Sequence, residues 1–214
     1  MNDATKAPEF VAWLAEIAGA APDRTYARKK PVLPIRIDGG TAFIPLTNGN
    51  EAIIDASDAH LVAGIRWRSR PSRRKDGTLK TIYACADDYS CRGRRVTFFL
   101  HSLLMMARLG DIIDHEDCNG LNNRRNNLRR ASLAENNRNS RRRTDNSSGV
   151  KGVWWCTKSQ KWRAAIRAEG RRKFLGVFAD LSEAATAYAK ASQDFHGAFG
   201  RAEAAALRGE KEPK

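Results

Sequence analysis

No stretch of this chain approaches the ~18 consecutive apolar residues needed to span a bilayer, and its apolar residues, 42% of 214, come in short runs. Asp3, Lys6 and Glu9 fall ahead of the first apolar run, a pattern unlike a secretory leader. Cysteine is scarce: Cys85, Cys91, Cys118 and Cys156, with no Cys-x-x-Cys pair. That spacing is a poor match to a zinc site, and free thiols in a reducing compartment are the plain reading. Aromatic residues are few, and the exposed aromatic pairs of a base-stacking RNA platform are missing. Acidic residues are also in deficit, 24 against 38 Lys and Arg, which leaves a formal charge of +14. A balance that basic concerns partners rather than fold, and nucleic acid is the first it suggests. A membrane-surface protein is the competing reading.

What is present falls into five segments. Residues 1–31 read as a helical appendage and linker, with Phe10, Trp13, Leu14 and Ile17 at helical spacing between Pro8 and Gly19. Residues 32–140 open with short apolar runs punctuated by Gly-Gly and Asn-Gly turns, the mark of hairpins. Within them "RWRSRPSRRKDGTLKTIYACA" offers two strands around a basic loop holding Arg66, Arg68, Arg70, Arg73, Arg74, Lys75 and Lys80. That loop is either a grip for phosphates or a solvated hairpin tip. "RRVTFFLHSLLMM" is a strand running into a short helix. Residues 141–149 form a basic linker, 150–200 a separate module, and 201–214 a polar tail.

The densest chemistry lies in "IIDHEDCNGLNNRRNNLRR", which sets Asp114 beside His115 and follows them with five asparagines. Ser132 with Glu135 three positions on is a capping box, so the spacing predicts a helix from about Leu133. Hydrolysing a phosphodiester at neutral pH asks for a base, a cation and a hold on the phosphate. Histidine suits the first, a hard oxygen-preferring cation the second, and arginine the third. Amide oxygens can serve as ligands or orienters while keeping the site's net charge low.

"DHEDCNGLNNRRNNLR" resembles the signature of HNH endonucleases of the phage and homing type, whose site is a ββα-metal fold. The resemblance implies Asp114 as a metal ligand, His115 as general base, Asn127 as the asparagine that orients the base, and Asn136 as second metal ligand. Asn123 and Asn137 are the nearest rivals if the loop length differs. Arg124, Arg129 and Arg130 are expected to hold flanking phosphates. Cys118 stands where that family usually has glycine, which matters if the position needs positive φ. Ser102 stands where an arginine is usual. His101 reads as structural.

In the last module "VKGVWW", "KWRAAIRA" and "RKFLGVF" read as three strands, followed by a helix with Ala184, Tyr188, Ala191 and Phe195 on one face. Alternation places Trp162, Ala164 and Ile166 on one side and Arg163, Ala165 and Arg167 on the other. The module resembles the ethylene-response-factor (APETALA-type) DNA-binding domain. That resemblance implies DNA contacts at Lys151, Gly152, Trp154, Arg167, Arg172 and Phe174, and strand alternation adds Arg163. Lys151 and Trp154 reach DNA only if a twist near Gly152 turns them.

The expected fold class is α+β: a β-rich N-terminal region leading into a ββα-metal HNH core, plus a small C-terminal domain of a three-stranded antiparallel sheet packed on one helix. The expected function is a metal-dependent DNA endonuclease using one Mg²⁺ or Mn²⁺ ion, with the C-terminal domain selecting the site. Its partner would be double-stranded DNA, with no membrane and no obligate protein partner, as a monomer or weak dimer. The expected location is cytoplasmic, in a bacterial host cell if phage-encoded. The alternative is a catalytically inactive, sequence-specific DNA-binding regulator.

Overall fold

A computed structural model of the chain describes residues 31–74, 76–88, 95–142 and 146–201. The chain divides into two compact units, Met1–Ala131 and Ser132–Lys214. The helix expected over Phe10–Ile17, Lys75, Cys91 and the polar tail beyond Arg201 lie outside the described residues. The division falls ahead of Ser132 rather than at residue 141, so the helix after the Asn-rich stretch goes with the second unit.

Three small antiparallel sheets build the first unit. Strands β1 (Arg36–Asp38), β2 (Thr41–Pro45) and β3 (Glu51–Asp55) lie in that order. Ala42, Ile44, Ala52 and Ile54 alternate into the core, the period-two signature of a half-buried sheet. A short helix, α1 (Ala59–Val62), follows. Strands β4 (Arg68–Arg73), β5 (Leu79–Asp88) and β6 (Val96–Phe99) form a second sheet with β5 central. Helix α2 (Leu100–Leu104) then buries Leu100, Leu103 and Leu104 in the core that also takes Trp67 and Leu128. Strands β7 (Ile112–His115) and β8 (Leu128–Ala131) pair as a two-stranded ribbon.

The second unit begins with α3 (Leu133–Arg138), where Ser132 and Glu135 make the expected capping box. Strands β9 (Val153–Cys156), β10 (Lys161–Ala168) and β11 (Arg171–Phe178) form an antiparallel sheet with β10 central. Helix α4 (Leu181–His196), capped by Asp180, packs Ala184, Tyr188 and Ala191 onto Val153, Ala164 and Ile166.

The fold-class expectation is corrected here. Strand dominates the described residues, in four small antiparallel sheets, and an α+β fold organised around a ββα-metal core is not what they show. The physical reason lies in the helices. Those other than α4 run four to six residues, well short of the ~12 at which helices begin to hold by themselves. Apolar residues at alternate positions pair strands instead.

Candidate functional site

Strand β7 delivers Asp114 and His115 side by side, and alternation sends their side chains to opposite faces. Across the ribbon Asp114 faces Arg129 and His115 faces Leu128. Both are buried. The loop between the strands is tied largely by its own amides. Asp117 Oδ1 accepts from the Asn119 amide (2.7 Å) and Asn127 Nδ2 (3.0 Å), and Asp117 Oδ2 from Asn122 Nδ2 (2.8 Å). Asn127 also donates to Asn122 O at 2.7 Å and accepts from the Asp117 amide at 3.0 Å.

Outside contacts dock this loop on the neighbouring sheets. Ile53 of β3 donates to Leu121 O (2.8 Å) and accepts from the Asn123 amide (2.7 Å). Arg125 grips Asp58 with two bonds of 2.8 and 2.9 Å. Gly120 lies so close to β5 that a Cβ there would sit 2.5 Å from Ile82 O and 2.6 Å from the Tyr83 ring.

His115 Nε2 lies 3.2 Å from Asn123 Oδ1. The Asn123 amide nitrogen donates to Gly120 O at 3.4 Å, so its oxygen faces the ring. That orientation suits the tautomer with its proton on Nε2. Burial pushes the imidazole below its usual range, opposed by the Asn123 bond and the charges of Asp117 and Asp114. The ring sits 5.0 Å edge-on from His101 and 5.8 Å from Tyr83. His101 stacks on Phe99 at 5.3 Å, and burial, with a smaller effect from His115, pushes it down to about 3. It is a neutral packing group. The asparagine on the imidazole is thus Asn123, fully buried, while Asn127 ties the loop. Residue counting could not separate them, because the choice depends on how the loop folds back on β3.

The arginines expected to hold phosphates are engaged within the first unit. Arg129 Nε donates to Asp114 Oδ2 at 2.9 Å. Arg130 pairs with Asp111 and donates to Met105 O at 2.9 Å, and Arg124 donates to Thr41 Oγ1. Asn136 lies half-buried on α3 and belongs to the second unit.

In the second unit Trp162, Ala164 and Ile166 turn toward α4. The other face of the sheet carries Trp154 opposite Arg163, Phe174 opposite Ala165, and Arg172 opposite Arg167. The Arg172 guanidinium lies 4.5 Å from the Trp154 ring centre, and that of Arg163 5.5 Å from Phe174. Phe174 is 57% exposed. A concavity of about 670 Å³ is lined by Lys151, Trp154, Arg167, Arg172 and Tyr188 among others. Two expected contact residues have structural work. Lys151 Nζ donates to Arg138 O (2.7 Å) and Ser140 O (2.9 Å). Gly152, at φ +73°, lets the Tyr188 ring pack where a Cβ would sit 2.2 Å from it.

Comparison with curated proteins finds Protein 3.8 of Escherichia phage T7, 36% identical over 92 residues, which are 43% of this chain and 75% of the phage protein. The chain belongs to the family of phage T7 Protein 3.8. No protein-family model and no solved structure matches it. No helix of the described residues of this Protein 3.8 relative is long and apolar enough to cross a membrane.

Does the site of this Protein 3.8 relative suit a divalent cation? Among the described residues there is no cluster of three or more His, Cys, Asp and Glu side chains that could hold one. A water-rich Mg²⁺ asks for less, one or two carboxylates beside substrate oxygens. The Asp114 carboxylate fits that demand, with the condition that the ion share it with, or take it from, Arg129.

Proposed function

We propose that this chain is a metal-dependent DNA endonuclease that hydrolyses phosphodiester bonds. The observation that carries the reading is the His115 imidazole, buried next to Asp114 in β7 and held at Nε2 by Asn123 Oδ1 at 3.2 Å. His115 accepts the proton of the attacking water, and Asn123 orients the ring. Asp114 would hold the Mg²⁺ or Mn²⁺ ion, which when bound neutralises charge developing on the phosphate. The face of the second-unit sheet with Trp154, Arg163, Arg167, Arg172 and Phe174 selects the DNA. This division follows the rule that backbone contacts position while base contacts specify. Relatedness to a phage protein fits action in the cytoplasm of a bacterial host.

Plasmid incubated with the full chain and Mg²⁺ or Mn²⁺, with an EDTA control, tests the reading. Metal-dependent nicking or linearisation is expected, and His115→Ala should abolish it while leaving DNA binding largely intact. An undiminished cutting rate in that variant removes the proposed base. One observation favours a second reading, a DNA-binding regulator with an inactive core: the Asp114 carboxylate is already bound by Arg129. Salt-sensitive duplex binding without cleavage in either metal would decide for it.

A further inference from the structure

With Arg124, Arg129 and Arg130 engaged by side-chain or backbone partners of their own unit, the proposed centre needs another hold on DNA. One exposed arginine lies on the sheet face on which the Asn-rich loop is docked. Arg70 of β4 stands directly opposite Tyr83 of β5, and cross-strand partners share a face. That face receives Gly120 of the loop, and Tyr83 sits 5.8 Å from the His115 ring. The Arg70 guanidinium lies 5.4 Å from the centre of the Phe99 ring, within reach of a cation–π contact. Phe99 in turn stacks on His101, which meets His115 edge-on. A continuous set of rings therefore leads from Arg70 to His115. Among the described residues no carboxylate pairs with Arg70. A guanidinium laid on a ring keeps its N–H edge for a partner, and a phosphate is the anion that the fork fits.

We infer that Arg70 is a phosphate-binding residue that holds the DNA backbone beside the bond served by His115. The inference rests on the endonuclease reading, but its test is read by binding rather than by cleavage. In the full chain carrying His115→Ala, which leaves DNA uncut, affinity for a short plasmid-derived duplex is measured against salt with Arg70, Arg70→Ala and Arg70→Lys. Losing one phosphate contact should flatten the slope of log K against log salt by about 0.9 and weaken binding roughly tenfold at low salt. Arg70→Lys keeps the charge and should recover most of the slope. A merely structural role would not produce that recovery. In the His115-containing chain, Arg70→Ala should raise KM more than it lowers kcat. An unchanged slope and affinity in Arg70→Ala overturn the inference even if the wild type cuts DNA. A wild type that cuts nothing with either metal sinks the endonuclease reading, whatever the salt slopes show.

Discussion

At the scale of the residue, two side chains near the site carry measurable consequences. Cys118 adopts φ +59° where its amide closes a turn on His115 O at 2.9 Å. A left-handed conformation costs an L-residue roughly 1–2 kcal/mol, and glycine gives back about 0.5–1 kcal/mol of that through its freer unfolded chain. Cys118→Gly should therefore stabilise the protein by about 0.5–1 kcal/mol, read from denaturant midpoints. His101 concerns pH. Its ordinary value is 6.5, and in the folded chain it lies at about 3. Between those values the unfolded chain binds the extra proton, so stability is full above about pH 6.5 and is lost as pH falls toward 3. By pH 5 the loss is on the order of 2 kcal/mol. His101→Phe keeps a ring on Phe99 and removes that dependence, so its melting temperature should fall less than the wild type's between pH 8 and pH 5. Equal falls would refute it. The resemblance raised positive φ at 118 only as a condition, and the structure meets it. The partner of His115 was not legible in the sequence, because Asn122, Asn123, Asn126 and Asn127 are alike until the loop closes.

At the scale of the element, the strands were readable where apolar residues alternate and the helices where caps mark their ends. β9, β10 and β11 follow the expected "VKGVWW", "KWRAAIRA" and "RKFLGVF" segments, and α4 starts at Asp180 and stops at Gly197. Gly152 shows what alternation misses. The resemblance gives it a DNA contact, and the structure adds a packing role: a Cβ there would meet the Tyr188 ring 2.2 Å away and Ala165 O 2.6 Å away. Gly152→Ala combines left-handed strain with overpacking and should destabilise the full chain by about 3 kcal/mol. A urea midpoint within error of the wild type's would show that the sheet and α4 can separate at little cost. The ββα-metal expectation failed at this scale too. A capping box contributes only ~1 kcal/mol, enough to start α3 but not to make a six-residue helix the centre of a fold.

At the scale of the whole molecule, charge decides. With a net +14, binding to duplex DNA should fall steeply with salt. Contact with six to ten phosphates predicts a drop of roughly 10³–10⁵ in affinity between about 50 and 200 mM. A flat dependence, measured with the intact chain, would remove DNA as the partner. The basic balance, the adjacency of Asp114 and His115, the strand alternation and the helix caps were settled by the sequence itself, since each depends on composition or on neighbours within a few residues. Tertiary structure decided the rest: Asn123 on the imidazole, Arg129 on Asp114, Arg70 on Phe99, and a preponderance of strand. Those outcomes join residues far apart in the chain or choose among identical side chains. Only the closing of the loops and the filling of the core fixes such choices.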